Sequence, residues 1–122
     1  SEDGANLLAG YKRAANILKA EEKKDRIVFD GSVDPEFLAS DADKALYAAI
    51  ATADDLIAAE IAHERFDAAM AVLADLRMPV DAFFELVKVN DDDPAVRINR
   101  LNLLARIKQA AHLVADFSKI EG

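Results

Sequence analysis

Apolar side chains recur at three- and four-residue spacing along most of this chain, with little to interrupt them. Leu7, Leu8, Tyr11, Ala14, Ala15 and Leu18 make one such stripe, and Ala45, Leu46, Ala49, Ile50 and Ala53 a second. Phe66, Ala69, Met70, Leu73 and Leu76 make a third, and Leu101, Leu104, Ile107, Ala111 and Val114 a fourth. That spacing puts each set on one side of an α-helix, whereas a half-buried strand would alternate with period two. Alanine, the best helix former, occurs 25 times against 4 glycines and 3 prolines, and no Asn-Gly or Asp-Gly turn sits between alternating apolar residues. The pattern predicts an all-α fold, a helical bundle of four longer helices plus one or two short ones.

Local signals place the boundaries. The first helix is expected from about Ala5 to Lys24, followed by a linker from Asp25 to about Asp34 in which Ile27-Val28-Phe29 tucks into the core. Asp34-Pro35 reads as an N-cap with proline at the first helical position, opening a short turn to Leu38. Ser40 caps the second long helix, with Asp43 three residues on in the favourable first turn. No glycine or proline marks where it ends between Leu56 and His63. A third helix is expected from about Glu64 to Leu76. Pro79 should force its predecessor towards an extended shape before a short helix from Val80 to Val87, anchored by Phe83 and Phe84. Asp93 then caps the last helix, which opens on Pro94 and turns Asn99, Asn102, Arg106 and Gln109 outward.

At 122 residues the chain has the size of one domain, residues 1–122, and buries roughly two-thirds of its unfolded surface. No apolar run reaches the roughly 18 residues of a membrane span. The first residues lack the features of a signal peptide, and no initiator Met is present, so a piece of a longer chain is expected. The absence of cysteine excludes disulfides and thiolate zinc sites and suits a cytoplasmic origin.

The net charge of −8 is unevenly spread: residues 1–24 carry +1, residues 25–76 carry −9 and residues 77–122 carry none. An acidic middle repels phosphates, so any nucleic-acid surface belongs to the two ends of the chain. Near the start, Lys12, Asn16, Lys19 and Lys23 share a face away from the apolar stripe, which an ordinary solvated helix would also show. Catalytic chemistry is not evident. His63 and His112 sit in no metal-binding pattern. A calcium loop read from Asp91 lacks glycine at its sixth position, Val96, and glutamate at its twelfth, Asn102. Helix capping explains Asp91-Asp92-Asp93 better, and Asp54-Asp55 reads as a solvated helix edge. No Gly-rich phosphate loop or nucleophile elbow is present.

Three segments carry a resemblance. Asn6-Leu7-Leu8 precedes Tyr11-Lys12-Arg13-Ala14-Ala15-Asn16-Ile17-Leu18. Pro79-Val80-Asp81-Ala82-Phe83-Phe84 leads through Val87-Lys88-Val89-Asn90 to Arg97-Ile98-Asn99-Arg100-Leu101-Asn102-Leu103-Leu104. Val114-Ala115-Asp116-Phe117-Ser118-Lys119-Ile120 closes the chain. These resemble the C-terminal part of bacterial glycyl-tRNA synthetase beta subunits, a helical domain similar to the anticodon-binding domain of arginyl-tRNA synthetases. Lys88 stands where that family has methionine.

The resemblance implies a tRNA-binding, anticodon-recognising domain with no catalytic residue, metal or cofactor of its own. The implied partners are glycine tRNA, the remainder of the beta subunit, and an alpha subunit that uses ATP and Mg within an alpha2-beta2 ligase. DNA and membranes are not among them. The RNA-binding residues it points to are Lys12, Arg13, Asn16, Lys88, Asn90, Arg97 and Arg100. The basic groups would meet phosphates, Asn16 a base edge or phosphate, and the arginines phosphate or an unpaired base. Each has a structural alternative: Arg97 and Arg100 could pair with Asp81, Glu85 or Asp93 and lock helices together. The alternative for the whole domain is an assembly module without anticodon contact.

Overall fold

A computed structural model describes the backbone of residues 2–121 and the side chains of residues 7–120. Within them the fold is all-α, as the spacing requires. Helix α1 spans Glu2–Asp25, α2 Asp41–Ala62, α3 Phe66–Ala74, α4 Arg77–Leu86 and α5 Pro94–Glu121, with a 3-10 turn at Pro35–Phe37 between α1 and α2. Helix α5 lies at the centre. It packs against α1, α2 and α3, and every residue from Asn99 to Ala105 is buried. Helix α1 runs antiparallel to it, since Glu21 and Asp25 meet Arg97 while the Tyr11 ring meets His112 6.0 Å away. Phe83, Leu46, Ile50, Ile57, Leu101 and Leu104 are fully covered, and emptying one such site costs about 2–5 kcal/mol. Gly10 lets α1 close on α4, because a Cβ there would stand 3.2 Å from Val80 Cγ1.

The caps read from the sequence form. The Asp43 amide donates to Ser40 Oγ at 3.1 Å, and the Ser40 amide returns a bond to Asp43 Oδ2 at 3.3 Å, a reciprocal capping box. Asp34 Oδ1 accepts from the Glu36 amide, and Asp93 Oδ1 accepts from the Ala95 amide just inside Pro94.

Four expectations are corrected. Pro79 lies inside the first turn of α4, where the backbone amides have no intrahelical partner to lose, and the chain breaks earlier, at Asp75-Leu76. Met70 is 41% exposed instead of buried. Of the Ile27-Val28-Phe29 segment only Phe29 enters the core, leaving Val28 83% exposed. Asn99 and Asn102, expected to face solvent, are buried beneath the linker that joins α1 to α2. That linker returns across α5. Asn99 Oδ1 accepts from the Asp34 amide and its Nδ2 donates to the Asp34 carbonyl, both at 2.8 Å. Asn102 Oδ1 accepts from the Gly31 amide at 2.9 Å, and Gln109 donates to the Asp30 carbonyl at 2.7 Å. Gly31 has φ +90, and a Cβ would stand 2.9 Å from Arg106 Cδ and from Gln109 Oε1, so both its backbone shape and the space around it require glycine.

Two helix ends explain breaks that no glycine marks. Glu64, at φ 57, closes α2: its amide donates to the Ile61 carbonyl and the Arg65 amide to the Glu60 carbonyl. This is the Schellman pattern, built on a non-glycine residue. Arg26, at φ 59, closes α1 in the same way, with the Ile27 amide reaching the Glu22 carbonyl.

Candidate nucleic-acid interface

Helix α1 separates its charges by side. Leu7, Gly10, Ala14 and Leu18 form the buried stripe. At 3.6 residues per turn, Lys12, Asn16, Lys19 and Lys23 all fall within about 40° of the direction opposite Ala14. All four are exposed, and the three lysines make no ion pair or hydrogen bond with any described residue. The carboxylates near the helix end point elsewhere. Glu22 Oε2 accepts from the Phe29 amide at 2.8 Å, while Glu21 and Asp25 accept from Arg97 at 2.9 and 2.7 Å. Of the described lysines of α1, only Lys24, 3.9 Å from Glu21, touches one of them. Among the described residues the outer side of α1 is therefore a strip of unpaired ammonium groups, on a chain whose net charge is −8.

Arg13 stands at the edge of this strip, its guanidinium 4.4 Å from the centre of the Phe84 ring. A planar cation held over an aromatic face keeps most of its donors available. Across the shallow groove between α1 and α4 it faces Asp81 and Glu85, which are exposed. Lys88, on the α4–α5 connection, is exposed and only loosely beside Asp92 at 4.0 Å. Asn90 is exposed too, but its Oδ1 accepts from Arg97 Nε at 3.0 Å.

The two arginines of the last helix have a different fate. Arg100 is 6% exposed and spends every nitrogen on the protein. Its Nε and Nη2 donate to the Asp43 carboxylate, and its Nη1 donates to the Lys88 carbonyl and to Asp91. Asp43 thus closes the capping box of α2 and receives Arg100 on the same carboxylate. Arg97 donates to Asp25, Glu21 and Asn90. Hydrogen bonding to Asp25, and next to Glu21, raises its pKa above the ordinary arginine value. The structural alternative of helix locking thus describes both, although none of the partners the sequence suggested is used: the acids lie on α1, at the start of α2 and in the α4–α5 connection.

The remaining polar clusters are structural. Asp91 accepts from the Asp93 amide and from Arg100, and Asp93 caps α5, so two of the three acids in this run serve turn and cap while Asp92 faces solvent. Asp54 pairs with Arg106 at 2.8 Å, and His63 Nδ1 bonds the Ala59 carbonyl. Among the described residues no three acidic, histidine or cysteine side chains gather as a metal site, and no helix is long and apolar enough to cross a membrane. Lys19 and Lys23 belong to the strip as fully as Lys12. Their shared face was visible in the spacing, but they fall outside the segments that carried the resemblance.

Among the described residues this helical bundle leaves one basic helix face unpaired, the kind of stripe from which a polyanion contact is built. Residues 7–117 match the DALR anticodon binding domain model, and the chain belongs to that family. All 122 residues align with glycine–tRNA ligase beta subunits: 51% identical to that of a Ruegeria species, 47% to that of Paracoccus denitrificans and 48% to that of Cereibacter sphaeroides. The chain spans 18% of the length of each of these relatives.

Proposed function

We propose that this chain is the tRNA-binding domain of a glycine–tRNA ligase beta subunit, holding the anticodon arm of glycine tRNA against the outer side of α1. The observation that carries the reading is the strip Lys12, Asn16, Lys19 and Lys23, exposed and free of acidic partners among the described residues of a chain whose net charge is −8. Membership of the anticodon-binding family supports it, as does identity near one half to the beta subunits along the whole chain. Lysines that release counterions supply affinity, Asn16 offers a donor and an acceptor to a base edge, and Arg13 and Lys88 extend the surface on either side of α4. Arg97 and Arg100 are left out of the contact set because every guanidinium nitrogen of each already donates to the protein. Asn90 contributes from the same connection as Lys88. The domain itself takes no cofactor. ATP and Mg are used by the alpha subunit of a cytoplasmic alpha2-beta2 enzyme, which attaches glycine to the bound tRNA.

One observation favours a second role beside this one. An apolar groove of about 460 Å³ runs between α1, α3 and α5, lined by Leu8, Tyr11, Phe66, Met70, Ala111 and Ala115 among others. It suits packing against the rest of a larger subunit, so the domain also contributes to assembly.

The test is binding of this chain to glycine tRNA, to the same tRNA with an altered anticodon, and to an unrelated tRNA, at low and moderate salt. Preference for glycine tRNA that is lost with the altered anticodon is the expected result. Equal binding to all three contradicts anticodon recognition, and no binding at low salt contradicts the RNA reading and favours the assembly role.

A further inference from the structure

The cationic groups assigned to RNA sit on two separate pieces of chain. Lys12, Lys19 and Lys23 ride on α1, whereas Lys88 rides on the connection between α4 and α5. That connection is irregular, so its position relative to α1 depends on side chains. One residue bonds both pieces. Arg97 reaches α1 through Glu21 and Asp25, 76 and 72 residues away in sequence, and reaches the connection through Asn90. Its side chain is only 19% exposed, and all three bonds are 3.0 Å or shorter. Arg100 fixes the same connection from beneath through the Lys88 carbonyl and Asp91, but ties it to α2.

We propose that Arg97 is a positioning residue for tRNA binding: it stitches the C-terminal turns of α1 to the α4–α5 connection, so that Lys88 and the α1 lysines meet one phosphate backbone as a single surface. Arg97 makes no contact with RNA in this arrangement. The proposal rests on the RNA reading of α1 given above. It has a consequence that runs against simple charge. Cutting the stitch from the α1 side, with Glu21→Gln and Asp25→Asn, makes the protein less acidic by two charges. Counterion release alone would then strengthen binding to a polyanion. A stitch that sets geometry instead weakens binding, because Arg97 stays in place but no longer holds the two pieces together.

The experiment measures affinity of the 122-residue chain for glycine tRNA in four variants: Arg97→Gln, the pair Glu21→Gln with Asp25→Asn, Lys88→Ala, and Arg97→Gln with Lys88→Ala. Circular dichroism at the assay temperature confirms that each is folded. The expected result is a loss of about three- to tenfold for Arg97→Gln and for the carboxylate pair alike. Lys88→Ala should weaken the unaltered chain yet change the Arg97→Gln chain by less than about twofold, the non-additivity of coupled residues. Tighter binding by the carboxylate pair, additive losses for Arg97 and Lys88, or no effect of Arg97→Gln on affinity would each overturn the stitch. Failure of the unaltered chain to bind, or indifference of binding to the α1 lysines, overturns the RNA surface itself and is read from separate samples.

Discussion

Two rows of polar side chains run along the long helices of this domain, with similar spacing and opposite fates. On α5, Arg97, Asn99, Arg100, Asn102, Arg106 and Gln109 are all hydrogen-bonded to other parts of the protein. On α1, Lys12, Asn16, Lys19 and Lys23 face solvent, and the lysines have no partner among the described residues. The difference is made by what crosses each helix. The linker after α1 folds back over α5 and offers it amides and carbonyls, while nothing among the described residues crosses the outer side of α1. The α5 row therefore carries stability, and the α1 row is open to solvent. A polar residue at helical spacing does not by itself say which role it has.

The comparison breaks most visibly at Arg100. Replacing it with Met leaves the Asp43 carboxylate buried without its cation, which is expected to cost about 3–5 kcal/mol, read from urea unfolding. A cost below about 1 kcal/mol would mean that the α5 row is not what holds this end of the bundle together. Gly31→Ala comes next. It demands a left-handed backbone of an alanine whose Cβ meets Arg106 and Gln109, and is expected to cost about 1–3 kcal/mol. On α1 the expected stability effect is near zero: Lys19→Ala on a solvated face should fall within about 0.5 kcal/mol of the unaltered chain. A comparably small but pH-dependent effect belongs to the Arg65–Glu60 pair at the end of α2. The hydrogen bond from Arg65, together with its charge, holds Glu60 below the usual carboxylate range. A group lowered in the folded state stabilises above its unfolded pKa and loses that contribution as pH falls through its folded value. Glu60→Gln should therefore destabilise slightly at neutral pH and match the unaltered chain in acid. A difference that persists in acid would assign the effect to something other than ionisation.

What the sequence revealed follows from the range of the physics involved. Ser40 with Asp43, and Asp93 with Pro94, are short-range devices, and both caps form as read. The α5 core stripe is legible for the same reason. The ends of α1 and α2 were less so, because Arg26 and Glu64 take left-handed conformations where glycine is the usual signal. Pro79 misled because its cost depends on whether it falls inside a helix or in its first turn. Asn99, Asn102, Arg97 and Arg100 each have a partner 57 to 76 residues away, beyond any local pattern. For the candidate site, spacing alone grouped Lys12, Asn16, Lys19 and Lys23. Spacing carries no sign that Glu21, Glu22 and Asp25 turn away and leave those lysines unpaired among the described residues.

If the outer side of α1 holds tRNA, its lysines supply the phosphate contacts. The most direct test is the affinity for glycine tRNA as a function of salt, for the unaltered chain and for a variant carrying Lys12→Ala, Lys19→Ala and Lys23→Ala. Three lost phosphate contacts are expected to weaken binding at every salt concentration and to flatten the logarithmic salt slope by about two units, with the melting temperature little changed. An unchanged affinity and an unchanged slope would contradict the account and place the RNA, if it binds at all, on another face of the bundle.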